Sequence, residues 1–139
     1  KKGMVLNCES RRTHNIFTED GIEHDYLHMD GQEVYKFAVR QCPKCLLEAL
    51  EKADMTADDI DYFVLHQANV RIIESVAKRL KAPIEKFPMT LGYTGNMSAA
   101  SVPVMLDSLV RDGGLKRGDK VAMSAFGAGL TYGAIVLEW

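Results

Sequence analysis

The spacing of apolar residues along the chain predicts three helices. Residues 32–52 repeat at helical period, although Pro43 lies in their middle, where a proline removes one backbone hydrogen bond at a cost of about 3 kcal/mol. We therefore expect a kink at Pro43, or two helices in series. A second helix begins near residue 70 and ends before Pro83. A third covers residues 99–112 and ends at two glycines.

Strands are predicted between these helices and at both ends of the chain. Residues 62–65 form the short continuous apolar run that is typical of a buried parallel strand. Residues 3–8 and 87–91 are predicted to form further short strands. Residues 121–126 and 130–139 are joined by a connection so short that it permits only an antiparallel hairpin.

This alternation predicts an α/β fold: α-β-α layers around a mostly parallel mixed sheet with a C-terminal antiparallel hairpin. Residues 9–30 are polar, lack periodicity and are expected to form an irregular loop over the domain or against a partner. Thr56 is predicted to cap the turn that precedes residues 62–65.

Composition excludes several classes of protein. The 139 residues are 47% apolar and 26% charged, which is typical of one globular domain and not of a disordered or collagen-like chain. With a net charge of −2, the chain has no strong electrostatic attraction to nucleic acid or to an anionic membrane. No apolar run is long enough to cross a bilayer. Three cysteines and no signal peptide favour a reducing, cytoplasmic location.

Polar or glycine-rich residues follow three of the predicted strands. They begin at His66, at Gly95 and at Gly127, and parallel strands would bring His66 and Asn96 to the same edge of the sheet. A neutral imidazole and a carboxamide can both donate hydrogen bonds to a developing oxyanion, and a glycine-rich turn can offer backbone N–H groups. Two simpler interpretations stay open: His66 is structural, and the glycines only permit a tight turn.

Three segments in the same order resemble the C-terminal half of the β-ketoacyl-acyl-carrier-protein synthase III family. They are 66–72 (HQANVRI), 95–103 (GNMSAASVP) and 126–133 (FGAGLTYG), and 29–39 (MDGQEVYKFAV) resembles the segment that leads into that half. The resemblance implies the thiolase fold for residues 29–139. Residues 1–28 carry little of it and are expected to form a lead-in strand and loop.

The resemblance implies a decarboxylative Claisen condensation between an acyl-CoA primer and a malonyl-carrier protein in fatty-acid synthesis. By resemblance, His66 and Asn96 hydrogen-bond the malonyl thioester carbonyl as its oxygen gains charge, with His66 donating from Nε2. The backbone N–H of Ala128 aligns with the oxyanion-hole donor, where the family often has glycine. No metal or redox cofactor is implied, since the CoA and phosphopantetheine thioesters are substrates.

Further roles follow from the same resemblance. Ala68 and Asn69 match positions that line the pantetheine channel, and Phe126 matches an aromatic residue beside the catalytic pocket, where simple core packing is the alternative. Arg71 and Lys78 lie seven residues apart on one helix face and are expected to dock the acidic carrier protein, unless they are only a solvated outer face.

The family's nucleophilic cysteine has no match in this sequence. Cys8 lies in a predicted strand, and Cys42 and Cys45 fall inside a helical pattern, where ordinary thiols are a better interpretation than a redox or zinc site. Three histidines in the polar loop are interpreted as solvated. We expect the cysteine to lie in an N-terminal half outside this chain, so that the fragment alone is inactive and the complete enzyme is a homodimer.

Two alternatives remain from the sequence. One is a non-catalytic thiolase-like domain that binds a partner, which the presence of both His66 and Asn96 argues against. The other is a related ketosynthase of a secondary-metabolite pathway.

Overall fold

The computed structural model describes residues 5–8 and 26–139. Strand β1 (Leu6–Asn7) pairs antiparallel with β2 (His28–Met29). The predicted first strand is thus confirmed at its centre. Most of the predicted polar loop lies outside the described residues, and its last part forms β2, which the sequence pattern did not predict.

Helix α1 (Gly31–Lys52) is a single helix of 22 residues. It begins at Asp30, whose carboxylate accepts hydrogen bonds from the N–H groups of Gln32 and Glu33 at 3.1 and 3.0 Å. Pro43 lies inside it and is buried. The prediction of two helices in series was therefore wrong, because the apolar face continues on both sides of Pro43 and its burial holds the helix together.

A three-stranded mixed sheet forms the centre of the domain. It comprises β3 (Tyr62–Leu65), β4 (Lys120–Gly127) and β5 (Thr131–Glu138) in the order β3-β4-β5. β3 pairs parallel with β4, from Tyr62 opposite Val121 to Leu65 opposite Ser124, and β4 pairs antiparallel with β5. The predicted parallel strand and C-terminal hairpin are confirmed.

Helices cover both faces of this sheet. Phe63 and Leu65 of β3 pack with α1 and with α2 (Val70–Leu80) in the larger core cluster. Val64, which points the opposite way, packs with residues of α4 (Ser101–Arg111) in a second cluster. This alternation along β3 confirms the α-β-α layering. Before β3, Thr56 is the N-cap residue of a 3₁₀ turn (Ala57–Asp59), as predicted, and its N–H and hydroxyl both donate to the Asp59 carboxylate, at 2.8 and 2.7 Å.

The strand predicted over residues 87–91 does not form. A 3₁₀ turn (Ile84–Lys86) precedes this segment, and the one-turn helix α3 (Leu91–Thr94) follows it. The backbone of residues 88–90 is hydrogen-bonded by the side chain of Gln67. Gln67 Oε1 accepts from the Thr90 N–H at 3.1 Å, and Gln67 Nε2 donates to the Pro88 carbonyl at 3.4 Å. Gln67 thus takes the place of a neighbouring strand, and Pro88 has no N–H to give to a ladder.

Candidate active site

His66 is the first residue after β3, at the carboxyl edge of the sheet. Its N–H donates to the Ser124 carbonyl of β4 at 2.9 Å, which extends the parallel ladder by one bond. The partly buried imidazole meets the Phe126 ring edge-on, with centroids 5.2 Å apart. β3 fixes the backbone of His66, and Phe126 of β4 packs against its ring.

Ser101, which sequence reasoning missed, contacts the other side of the imidazole. Its Oγ lies 2.6 Å from His66 Nδ1, and its position at the start of α4 is fully buried. A signal was present: Ser101, Met105 and Leu109 are spaced four residues apart along the buried face of α4, so a polar residue occupies an apolar stripe. Because Nδ1 is engaged, Nε2 is the nitrogen left for a substrate.

Asn96 lies in a tight turn between α3 and α4. Its Oδ1 accepts from the Ser98 N–H at 2.9 Å, so the amide nitrogen is the part of this exposed side chain left to donate. The turn needs Gly95 at φ 65° and ψ −163°, a conformation essentially limited to glycine, and places Ser98 at φ 52°.

A short chain of polar contacts connects His66 to Asn96. Ser101 Oγ is 3.0 Å from the Ser98 carbonyl, and Ser98 in turn holds the Asn96 amide. Gln67, which is fully buried, also joins β3 to the segment that leads to Asn96. The two predicted donors therefore belong to one connected edge of the domain.

The β4–β5 hairpin turn carries Ala128, which is exposed. Gly129 takes the positive φ of this turn, at 139°, so Ala128 does not need the conformation that would strain an alanine. A Cβ on Gly129 would lie 2.7 Å from Thr131 Cγ2. Alanine is thus compatible with a backbone donor at position 128, and its oxyanion-hole role stays a prediction.

Ala68 and Asn69 join His66 to α2. The Ala68 N–H donates to the His66 carbonyl at 3.0 Å, and Asn69 caps α2 by accepting from the Arg71 N–H at 2.9 Å. Ala68 is partly buried and Asn69 exposed. These contacts give both residues a structural reason to be present, and their role in a pantetheine channel stays a prediction.

Arg71 and Lys78 are exposed on the outer face of α2, as predicted. Glu74 lies between them on the same face. Among the described residues, the ion pairs lie on α1 and α4, and neither Arg71 nor Lys78 takes part in an ion pair. Both interpretations of the pair, docking and solvation, are compatible with this arrangement.

Burial sets the charge state of the candidate groups. It lowers the pKa of His66 from 6.5, so the imidazole is neutral near pH 7. It raises the pKa of Cys42 to about 11 and also raises that of Cys45, which keeps both thiols protonated and unreactive. Cys8 is exposed at the end of β1.

Within residues 5–8 and 26–139, no group of three or more His, Cys, Asp or Glu side chains could hold a metal ion. In the same part of the chain, no helix is long and apolar enough to cross a membrane.

Known proteins are similar to this chain in sequence. A family model described as the C terminal of 3-oxoacyl-[acyl-carrier-protein (ACP)] synthase III matches residues 50–139. A β-ketoacyl-[acyl-carrier-protein] synthase III from a Synechococcus species is 52% identical over 143 residues, which cover 99% of this chain and 42% of that protein. The predicted domain boundary at residue 29 stays a prediction.

Solved structures agree in fold. The 3-oxoacyl-[acyl-carrier-protein] synthase III of Aquifex aeolicus superimposes with a TM-score of 0.86 at 36% identity, covering 99% of this chain and 40% of that one. A priming β-ketosynthase from a polyketide biosynthetic pathway gives 0.84 at 38% identity, covering 98% and 41%. The chain thus spans about two fifths of the length of these relatives. The family match and these structures confirm the thiolase-like fold and show that the chain belongs to the β-ketoacyl-[acyl-carrier-protein] synthase III family, as its C-terminal part.

Proposed function

We propose that this chain supplies the enolate-stabilising half of a β-ketoacyl-acyl-carrier-protein synthase III in fatty-acid synthesis. The complete enzyme would condense an acyl-CoA primer with malonyl-carrier protein. The observation that carries the proposal is the connected edge of His66, Ser101, Ser98 and Asn96, in which Nδ1 and Oδ1 are engaged internally. Nε2 and the Asn96 amide nitrogen are then the groups left to meet a substrate carbonyl.

This arrangement suits decarboxylation of a malonyl thioester. When the bond to the carboxylate breaks, carbon dioxide leaves and the electron pair forms an enolate, whose oxygen takes the charge. Two uncharged donors fixed on the protein stabilise that oxygen without first reorganising, and one such donor is typically worth about 10²–10³ in rate. The enolate carbon then attacks the acyl thioester on a cysteine, and the cysteine sulfur leaves as a thiolate.

We infer that this cysteine lies outside the chain, in an N-terminal half. The two buried thiols of α1 have raised pKa values, and the exposed Cys8 follows β1, which pairs only with β2 among the described strands. The chain alone should therefore neither accept an acyl group nor condense one.

The remaining partners follow from the same proposal. Arg71 and Lys78 would guide the acidic carrier protein toward His66, because Arg71 is the second residue of α2 and lies close to the carboxyl edge of the sheet. Ala68, Asn69 and Phe126 would contact the pantetheine arm, and Ala128 would donate its N–H to the acyl oxyanion. We propose a cytoplasmic homodimer that uses CoA and phosphopantetheine thioesters as substrates and needs no cofactor.

A priming ketosynthase of a polyketide pathway is the second candidate. Its support is the structural likeness at 38% identity, which is similar to the 36% of the Aquifex protein. Both candidates use the same donors, so the primer range of the complete enzyme, measured with acyl-CoA thioesters of increasing length, separates them.

The test uses the full-length enzyme that contains this chain and measures two steps separately. Acyl transfer from acyl-CoA to the cysteine is followed by mass spectrometry, and decarboxylation by release of labelled carbon dioxide from malonyl-carrier protein. We expect His66→Ala and Asn96→Asp to lower decarboxylation at least 10²-fold and to leave acyl transfer intact. Asn96→Asp is the more severe variant, because it keeps the oxygen that holds the Ser98 N–H and replaces the donor by a negatively charged oxygen that repels the developing oxyanion.

His28→Ala is the control for loss of a histidine, since His28 lies exposed on β2. Decarboxylation at the parent rate in both His66→Ala and Asn96→Asp would refute the proposal and favour the non-catalytic binding domain.

A further inference from the structure

Ser101 has one hydroxyl hydrogen, but three polar groups surround its oxygen. The Gln67 N–H lies at 3.2 Å, His66 Nδ1 at 2.6 Å and the Ser98 carbonyl at 3.0 Å. The Gln67 N–H can only donate, so it occupies one lone pair of the serine oxygen. The single hydrogen must therefore go either to Ser98 or to His66.

The two choices have opposite consequences for the active site. If Ser101 donates to the Ser98 carbonyl, its second lone pair faces Nδ1, so Nδ1 must carry the proton of the neutral ring. Nε2 of His66 would then present a lone pair to the substrate and repel a developing oxyanion. If Ser101 donates to Nδ1 instead, Nε2 carries the hydrogen and can stabilise that oxyanion.

The distances favour the second choice. A separation of 2.6 Å is shorter than the range of about 2.7–3.2 Å for N–H donors to oxygen, whereas hydroxyls that donate to oxygen approach to about 2.5 Å, so the short contact suits the hydroxyl as donor. Ser98 is an exposed residue, so water can replace the hydroxyl at its carbonyl. For the partly buried Nδ1 of His66, Ser101 is the hydrogen-bond partner found among the described residues.

We propose that Ser101 donates its hydroxyl hydrogen to His66 Nδ1 and thereby fixes the tautomer in which Nε2 carries the proton. Ser101 is thus a positioning residue, which acts through His66 and does not touch the substrate. The catalytic consequence rests on the function proposed above, whereas the tautomer can be measured without any activity.

The first test is ¹⁵N NMR of the full-length enzyme labelled at histidine, with the His66 signals assigned by their loss in His66→Ala. We expect a protonated Nε2 and an unprotonated, hydrogen-bonded Nδ1 in the parent enzyme. In Ser101→Ala the Nδ1 signal should move toward that of a nitrogen without a donor. A protonated Nδ1 in the parent, or an Nδ1 signal unmoved in Ser101→Ala, would overturn the inference.

The second test is kinetic and uses Ser101→Ala together with Ser101→Cys, which keeps the buried volume but donates poorly. Both should lower kcat for decarboxylation about five- to tenfold, the effect of one neutral hydrogen bond, with KM and acyl transfer unchanged. Ser108→Ala on the same helix is the matched control, because its hydroxyl contacts Asp112. Parent kcat in both Ser101 variants would refute the positioning role.

The two proposals fail differently. Undiminished decarboxylation in His66→Ala would refute the proposed function, and the NMR result would then decide the Ser101 inference by itself.

Discussion

Gln67→Leu is the substitution whose effect on stability follows most directly from the structure. The side chain is fully buried and bonds the Leu65 carbonyl at 3.0 Å, the Pro88 carbonyl at 3.4 Å and the Thr90 N–H at 3.1 Å. Thr90 is also fully buried, so leucine leaves its N–H without a partner. A buried unpaired donor costs about 1–3 kcal/mol, and the weakened carbonyl contacts bring the expected loss to about 2–4 kcal/mol.

Urea unfolding of the chain measures this loss, and Gln32→Leu is the control because Gln32 is exposed at the start of α1. With a slope of about 2 kcal/mol per molar urea, the middle of the typical range, the midpoint of Gln67→Leu should fall by about 1–2 M. Hydrogen exchange should accelerate at the Thr90 amide in particular. A midpoint no lower than that of Gln32→Leu, with Thr90 still protected, would refute the reasoning.

Three further predictions test the turn, the docking face and the buried imidazole. Gly95→Ala should lower the free energy of unfolding, measured in urea, by about 1–3 kcal/mol, because a methyl group has room there but the backbone conformation is one that only glycine adopts readily. Gly92→Ala is the control: a methyl group also has room at Gly92, which does not have a positive φ, so this variant should keep the parent stability. Arg71→Glu should weaken carrier-protein binding by the complete enzyme at low salt, measured by calorimetry, more than Lys116→Glu, which makes the same charge change. Folding stability, measured by urea unfolding across pH, should fall as the pH drops below 6.5, because the unfolded state then binds a proton that buried His66 resists. Equal losses of stability in Gly95→Ala and Gly92→Ala would contradict the first prediction, and equal losses of binding in Arg71→Glu and Lys116→Glu the second. The same decline of stability below pH 6.5 in His66→Gln would contradict the third.

Elements with a strong apolar pattern could be predicted from the sequence. Residues 62–65 form β3 as predicted, because a short apolar run between two polar turns suits a strand covered on both faces. The hairpin could be predicted from the short connection between two runs of strand residues, and α2 could be predicted from the helical period of its apolar residues. His66 follows β3 as predicted, whereas the strand predicted before Asn96 does not form, so the sequence argument that placed Asn96 at the same edge relied on an element that is absent from residues 87–91.

Elements that depend on one distant side chain could not be predicted. Residues 87–91 are apolar enough for a strand, but the side chain of Gln67 forms the backbone hydrogen bonds that a neighbouring strand would otherwise form. The pairing of β1 with β2 is two residues long and leaves no pattern in either segment. Ser101 left only the weak signal of a serine in the buried stripe of α4, and its partner on β3 is known only once both elements are packed.

The parallel pairing of β3 with β4 has a consequence for the order in which the protein is made. His66 leaves the ribosome well before Ser124 and Phe126, which hold its backbone and ring. A nascent polypeptide that has emerged only as far as α4 therefore has an unpaired β3 edge and a loosely held imidazole. Contacts between segments so distant in sequence form late in folding. The edge that carries His66 should therefore assemble only after synthesis has passed the C-terminal hairpin, and chains halted before β4 should be open to proteolysis at β3.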